Sequence, residues 1–420
     1  MLRADIAAAR RTLATDRASE VATLARRLIA AASPNPPGDT RAVAEVAVAC
    51  IREMVPSAEI AQYESAEGIV NVVARVRGTG PGRRVILNGH LDTYPVGEAG
   101  AWSVDPAGAT IDGRLYGRGA ADMKGGIAAS IVALAGLADV ADAWPGEVVL
   151  TLAGDEETMG PLGTRWLLDT VPHATGDAVI IGDAGSPRVL RFGEKGFLWI
   201  EVEAAGRPAH GAHVHLGDNA IDRLRGALDR LGAALAAVPV TAPSAVSEAI
   251  ERSRPISEPL AGVGEAETLG RITVNLGRIE GGTSPNLVPS RARAALDIRL
   301  PVGVEAEAVE AAIHGALDDP DLTVRVLRTF APNHTDPDHR LVRLCAAAAG
   351  EVMGAPVAIN MRVGGSDARW FRMRGIPTVV YGPTPHGMGG PDEFAAIAEL
   401  GQVARVHALT AFDFLRDTQP

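Results

Sequence analysis

Acidic and histidine side chains follow several apolar runs of the sequence, at the point where each run ends. RRVILNG leads into His90 and Asp92, EVVLTLAG leads into Glu156 and Glu157, and DAVIIG leads into Asp183. Short, β-branched and nearly unbroken apolar runs are typical of strands buried on both faces, as in a largely parallel sheet. Because open α/β sheets bind ligands beyond the carboxyl ends of their strands, we expect these side chains to meet there.

Two further residues join this set. Asp122 lies in a glycine-rich segment, LYGRGAADMKGG, just before a helical stretch, and His386 follows the apolar run IPTVVYG. Carboxylate and imidazole ligands without thiolates suit zinc, manganese or cobalt, and a catalytic metal site leaves one coordination position for water. Since adjacent residues cannot point the same way, one of Glu156 and Glu157 is expected to bind metal while the other faces the water.

Each residue also has a purely structural interpretation. His90 could be a hydrogen-bonded histidine in a capped turn, Asp122 could cap the helix that follows it, and Asp183 could be a turn residue. The paired glutamates could be solvated loop charges. A metal site is therefore indicated by the joint arrangement, in which a cation would relieve the repulsion between converging carboxylates, and not by any one member.

The pattern of apolar runs and helical stretches around these residues predicts an α/β fold of two domains. A chain of 420 residues is long for one core. Apolar strands alternate with helical stretches at both ends of the chain, which predicts a mostly parallel-sheet catalytic domain of residues 1–195 and 330–420. The middle, residues 196–329, alternates apolar and polar positions and carries helical stripes. We predict that it forms an inserted α+β sandwich.

The composition limits the possible partners. Apolar residues make up 47% and charged residues 22% of the chain, as in ordinary globular proteins. A net charge of −11 argues against a nucleic-acid partner. The N-terminal segment has charges throughout and no apolar core of a signal or membrane segment, and Cys50 and Cys345 do not form a disulfide framework. We expect a cytoplasmic protein with no membrane partner.

Six segments occur in order along most of the chain: GHLDTYPVG, GRGAADMKGG, GDEE, GRPAHGA, GGTSPNLVPSRARAALDIRL and GGSDARWFRMRGIPTVVYGP. Together they resemble one metallopeptidase family. This family contains acetylornithine deacetylase, succinyl-diaminopimelate desuccinylase, aminoacylase and glutamate carboxypeptidase. The resemblance implies a catalytic domain of zinc-exopeptidase type, a lid and dimerisation domain inserted into it, a homodimer, and one or two divalent metal ions, with zinc first and manganese or cobalt as alternatives.

The resemblance implies a metal role for five residues. His90 would bind the first metal, Asp122 would bridge both metals, and Glu157 would bind the second. Asp183 takes the position of the remaining first-metal carboxylate, although relatives more often have an acid followed by proline there. His386 departs from the pattern, because the family's last metal histidine usually lies four residues before a glutamate. The sequence therefore leaves open whether His386 reaches the metal and whether one metal or two are bound.

The same resemblance implies the catalytic and substrate-binding residues. Glu156 matches the general base, and Asp92 matches the acid that orients His90. The other matches are residues that recognise the substrate, either in the lid or in a glycine loop near the end of the chain. These are His210, Asn286, Arg299, Gly364 and Gly365.

The function expected from these residues is hydrolysis of a small substrate that carries a carboxylate. An amide such as an N-acyl amino acid or a peptide is the first expectation. One alternative is that the same activated water displaces ammonia from an aromatic amino acid, for which His213 and His215 beside His210 give weak support. Another is a metal-binding interaction protein without activity, which the presence of Glu156 argues against. The exact substrate and the physiological metal stay open.

Overall fold

The computed structural model describes residues 5–417, and a large mixed sheet surrounded by helices forms its main body. The helices are α1 (Ile6–Leu13), α2 (Ala18–Ala30), α3 (Arg41–Met54), α4 (Gly125–Asp139), α5 (Thr164–Thr170), α6 (Ala220–Ala236), α7 (Ser244–Ala261), α8 (Glu265–Leu269), α9 (Ala306–Ala316), α10 (Arg340–Met353), α11 (Ala368–Arg372) and α12 (Ile397–Arg416).

The strands are short, and the central strands of the large sheet are buried along all or most of their length. They are β1 (Glu59–Ala66), β2 (Ile69–Arg77), β3 (Arg84–His90), β4 (Ala109–Ile111), β5 (Arg114–Tyr116), β6 (Glu147–Ala153), β7 (Ala178–Ile181), β8 (Val189–Glu194), β9 (Gly196–Ala205), β10 (Thr273–Gly281), β11 (Arg291–Leu300), β12 (Leu322–Phe330), β13 (Asn333–His334), β14 (Ala358–Arg362), β15 (Thr378–Val380) and β16 (Phe394–Ala396).

The large sheet confirms the α/β prediction but is mixed in direction. Its path runs β1-β2-β6-β3-β7-β15-β8-β13, and β14 pairs with β8. The central pairs β6-β3, β3-β7 and β7-β15 are parallel, whereas β2 is antiparallel to β6 and β1 is antiparallel to β2. β2 is nearly as buried as β6, which pairs in parallel with β3. The apolar pattern of a strand buried on both faces therefore predicts the strand but not its direction.

The centre of the main body is the apolar helix α4, which packs against α2 and α12. By length and hydropathy the stretch Ala120–Asp139 could cross a membrane, but 94% of its apolar window is buried inside the protein, as in the core helix of a globular domain. At its start, a Cβ on Gly126 would lie 1.8 Å from the carbonyl oxygen of Gly182. Glycine at this position lets the start of α4 approach the end of β7.

A second, antiparallel sheet runs in the order β10-β11-β9-β12 and has its own apolar core. Alternate residues of β11 are buried, as the alternating pattern predicted. Leu224, Leu231 and Leu235 of α6 are buried against this sheet, whereas Ile221, near the start of the same helix, is 38% exposed. The predicted α+β arrangement of this part of the chain is therefore present.

Two helices of the middle segment belong to the larger core. Val246 and Ile250 of α7 and Leu269 of α8 are buried in the cluster formed by the main body, and α7 packs against β14. The buried ion pair of Arg191 and Glu265, 3.0 Å between Nη1 and Oε1, ties α8 to β8. The division of the chain at residues 196 and 329 stays a prediction.

Candidate active site

Three of the predicted metal ligands meet at the carboxyl edge of the large sheet. His90 is the last residue of β3, Asp183 lies two residues after β7, and Asp122 lies in the irregular turn before α4. One ligand atom from each lies within 4.8 Å of the others. The close approach of α4 to the end of β7 brings Asp122 to Asp183, and the parallel pairing of β3 and β7 brings His90 there.

The His90 imidazole is held between two aspartates. Its Nδ1 lies 2.9 Å from the backbone oxygen of Asp92 and 3.5 Å from the carboxylate Oδ1 of the same residue. Its Nε2 lies 3.1 Å from Asp122 Oδ1. Although burial lowers the pKa of His90, its hydrogen bonds with Asp122 and Asp92 raise that pKa well above the ordinary value. The ring therefore presents Nε2 to the cluster of acids.

Asp92 organises the turn that carries the two glutamates. Its carboxylate accepts hydrogen bonds from the backbone N–H groups of Glu156, at 2.9 Å, and Glu157, at 2.9 Å, and from Nδ2 of Asn35, at 2.9 Å. Burial raises the pKa of Asp92, but His90, Asn35 and the backbone N–H of Glu157 together lower it below the ordinary value. Asp92 thus contacts both a predicted ligand and the backbone of the predicted base.

The two neighbouring glutamates have different partners, as their adjacency predicted. Glu156 Oε1 accepts a hydrogen bond from Nη1 of Arg369 at 3.0 Å, whereas Glu157 Oε1 accepts one from the backbone N–H of Tyr94 at 3.0 Å. Burial raises the pKa of Glu156 to about 7. Burial and the nearby carboxylate of Asp122 raise the pKa of Glu157 to about 10.

The residues present fit a divalent metal ion. The converging donors are carboxylate oxygens and one imidazole nitrogen, which zinc, manganese and cobalt accept. Burial also raises the pKa of Asp183, since taking a carboxylate out of water disfavours its charged form. Burial and the nearby carboxylate of Asp122 both disfavour the charged forms of Glu157 and Asp183, which raises their pKa values. A divalent cation would balance the negative charge of these carboxylates.

Asp122 is held in place by a glutamate that the sequence did not assign to a role. Glu393 Oε1 accepts the backbone N–H groups of Ala121, at 3.0 Å, and Asp122, at 3.3 Å, and its other oxygen pairs with Arg118. Glu393 is buried. It therefore fixes the turn before α4 through the backbone and leaves the side chain of Asp122 free to face His90.

Two arginines of the site were also missed. Nη1 of Arg362, the last residue of β14, donates to Asp183 Oδ2 at 2.7 Å. Arg369, in α11, donates to Glu156. These arginines flank the predicted Gly364–Gly365 loop in sequence, which is the only signal that pointed to them. Which carboxylate each would contact depends on the fold.

His386 lies on a hairpin beside the site but outside the group of three converging ligands. Its backbone oxygen accepts the N–H of Phe394 at 3.0 Å, and its ring stacks on the Phe394 ring with the centroids 4.3 Å apart. The residues between them form a turn in which Gly390 N donates to Gly387 O at 2.9 Å. The segment between His386 and Phe394 thus forms a turn, and the role of His386 as a ligand stays a prediction.

Among the predicted substrate residues, the structure brings Arg299 close to the Gly364–Gly365 loop. The Arg299 guanidinium lies over the Phe197 ring at 5.3 Å, and a Cβ on Gly365 would lie 3.5 Å from that ring. Arg299 pairs with Asp297 on the same strand, at 2.8 Å. Its Nη1 is buried and has no hydrogen-bond partner among residues 5–417. One donor of this guanidinium therefore remains for another group.

His210 and Asn286 lie together on the surface of the second sheet's domain. The backbone N–H of Gly211 donates to Asn286 O at 2.7 Å, and His210 Nδ1 accepts the backbone N–H of Ala212 at 3.1 Å. Both side chains are exposed. Their described hydrogen bonds join them to neighbouring loops of the same domain, so their predicted contact with substrate stays a prediction.

Comparison with known proteins shows to which family the chain belongs. Residues 86–413 match the model of peptidase family M20/M25/M40. A succinyl-diaminopimelate desuccinylase of Rhodospirillum centenum is 32% identical over 354 residues, which cover 82% of this chain and 84% of the relative. One of Parvibaculum lavamentivorans is 31% identical over 361 residues, covering 82% of this chain and 83% of the relative.

Solved structures show the same fold. An M20 family metallo-carboxypeptidase of Sulfolobus solfataricus superposes with a TM-score of 0.74 at 20% identity, covering 96% of this chain and 100% of that structure. The chain therefore belongs to peptidase family M20/M25/M40 and is a metal-dependent hydrolase that acts on C–N bonds.

Proposed function

We propose that the protein hydrolyses the amide bond of a small N-acyl amino acid or peptide-like substrate that carries a carboxylate. The observation that carries this proposal is the convergence of His90, Asp122 and Asp183 beside the buried Glu156. The curated relatives are named as desuccinylases, which supports an acidic acyl group as the part that is removed.

His90, Asp122 and Asp183 would hold the first divalent metal, for which we propose zinc, and Glu157 would add a ligand for a second. The chemistry that such a cation supplies is Lewis acidity, which lowers the pKa of water and polarises a carbonyl oxygen. The Glu156 carboxylate takes a proton from the attacking water and returns it to the departing amine nitrogen. A carboxyl pKa raised by burial to about 7 suits both steps near neutral pH.

Arg299 is proposed to bind the substrate carboxylate, because its buried Nη1 has no partner among the described residues. We expect Arg299→Lys to lower kcat/KM by roughly ten- to a hundredfold for an acidic substrate, since a hydrogen bond to a charged group contributes about that much. Metal content should not change. Arg291→Lys is the matched control, on the same strand but exposed and paired with Glu203. Unchanged discrimination between acidic substrates and their amide analogues would contradict this role.

His386 is proposed as the third ligand of a second metal, together with Asp122 and Glu157. We expect His386→Ala to weaken binding of the second metal equivalent by at least about tenfold and to leave the first equivalent in place. Titration of metal into the metal-free protein, monitored by calorimetry, measures both affinities. His314→Ala, on an exposed face of α9, is the control. Identical stoichiometry, affinities and activity in wild type and His386→Ala would show that His386 is only a loop residue.

We also propose a homodimer formed through the second sheet. β10 is an edge strand of that sheet, and its apolar residues Leu276 and Ile279 are 45% and 55% exposed. Exposed apolar residues on an edge strand favour pairing with another chain. In such a dimer, His210 and Asn286 would be available to the partner's active site. Size-exclusion chromatography with light scattering tests this assembly.

The substrate class can be tested by a direct screen. The protein, loaded separately with zinc, manganese and cobalt, is incubated with N-succinyl, N-acetyl and dipeptide substrates and with amino-aromatic acids. Mass analysis of the products identifies the bond that breaks. Release of the acyl group supports the proposal. Release of ammonia with retention of the whole carbon skeleton would show that the reaction is deamination and not amide hydrolysis.

A further inference from the structure

Arg369 is a buried cation in direct contact with the proposed general base. Only 1% of its side chain is exposed. Its Nη1 donates to Glu156 Oε1 at 3.0 Å and to the carbonyl oxygen of Ser366 at 2.6 Å. The nearest other carboxylate oxygen, in Asp367, is 4.0 Å from Nη2. A buried guanidinium needs an anionic partner to offset its loss of hydration, and Glu156 is the hydrogen-bonded one.

Two aromatic rings lie beside the Arg369 guanidinium. Its central carbon is 5.0 Å from the centroid of Phe330 and 5.2 Å from that of Trp370, and these rings meet edge to face at 5.1 Å. Cations are attracted to aromatic faces, so these contacts help to hold the guanidinium in place. Nε and Nη2 have no hydrogen-bond partner among the described residues. The directional bonds of Arg369 are therefore those made by Nη1, and one of them goes to the base.

The residues around Arg369 belong to, or contact, the two segments that connect the large sheet with the second sheet. Phe330 is the last residue of β12, through which the chain returns to the main body. Ser366 Oγ donates to Glu194 Oε2 at 2.8 Å, and Glu194 ends β8, two residues before β9 begins. One connecting segment therefore contacts Arg369 through Phe330, and the other contacts it indirectly, through Glu194 and Ser366.

We propose that Arg369 is a positioning residue that fixes the Glu156 carboxylate in the orientation needed for proton transfer. The inference rests on the proposed role of Glu156 as base. Without the Nη1 contact, the carboxylate could rotate about its side-chain bonds, and a displacement of about 1 Å costs roughly a hundredfold in rate. Because Phe330 and Glu194 support Arg369, the orientation of the base depends on the two segments that connect the sheets.

A double-mutant cycle with Glu156 tests the proposal. Arg369→Met, loaded with metal, should lower kcat by roughly ten- to a hundredfold, change KM by less than about twofold, and bind as much metal as wild type. If Arg369 acts only through Glu156, Arg369→Met should cause no further loss in a Glu156→Gln background. Losses that multiply in the double variant, or an effect confined to KM, would overturn the proposal and indicate a direct contact with substrate.

Arg165→Met is the matched control, because the Arg165 guanidinium lies over the same Trp370 ring, at 5.6 Å, while its own side chain is 51% exposed. It should keep wild-type kcat. If Arg369→Met does not fold, the cycle is measured with Arg369→Lys, which keeps the charge and should show a smaller loss of kcat with the same lack of further loss in Glu156→Gln. Normal turnover of Glu156→Gln alone would instead contradict the proposed function.

Discussion

Glu156→Gln is expected to reduce turnover by at least about a hundredfold while metal content stays nearly unchanged, because general-base catalysis commonly contributes that much. The amide has the size of the carboxylate and its oxygen can still accept the hydrogen bond of Arg369 Nη1. It cannot take the proton of the attacking water. Steady-state kinetics and elemental analysis of the same preparation measure the two effects.

Glu157→Gln is the informative comparison, since it makes the same carboxylate-to-amide change at the neighbouring residue. The Glu157 carboxylate contacts the backbone of Tyr94 and not Arg369, and it is proposed to bind metal. We expect this variant to lose affinity for the second metal equivalent. Near-normal turnover of a folded, metal-loaded Glu156→Gln variant would remove Glu156 from the role of base.

Asp122→Ala is expected to abolish both metal binding and activity. Asp122 Oδ1 lies 3.1 Å from His90 Nε2, and the proposed bridging role makes its loss more severe than that of His386. The backbone N–H that Glu393 binds is present in alanine as well, so the turn before α4 should persist. Circular dichroism checks the fold, and elemental analysis after dialysis measures the metal content.

Asp139→Ala provides the control for Asp122→Ala. Asp139 is the last residue of α4 and is exposed, whereas Asp122 precedes the start of the same helix. The control should bind metal like wild type. Full metal occupancy in Asp122→Ala would show that the bridging assignment is wrong.

The strands that carry the site could be predicted from the sequence because buried strands have a simple apolar pattern. The runs that end before His90 and Asp183 are strands β3 and β7, and Glu156 follows β6. The direction of β2 could not be predicted, because helices covering both faces of a sheet demand the same apolar residues in either direction. The place of α7 and α8 against the larger core was missed for a similar reason: an apolar helix face does not specify which core it joins.

The different orientations of Glu156 and Glu157 were predictable from their adjacency alone, and their partners are different. Those partners were not predictable. Arg369 and Glu156 are separated by 213 positions, and Arg362 and Asp183 by 179. Which arginine meets which carboxylate depends on how the strands are ordered in the sheet.

The sequence by itself indicated the chemistry of this protein, because the types of the candidate ligands, their places after apolar strands and the family motifs are all local features of the chain. Tertiary structure alone decided which of these residues meet. The order of β6, β3, β7 and β15, together with the close approach of Gly126 to Gly182, assembles His90, Asp122 and Asp183. The turn from Gly387 to Gly390 sets His386 against Phe394. Distances between residues far apart in sequence depend on packing, which no local pattern encodes.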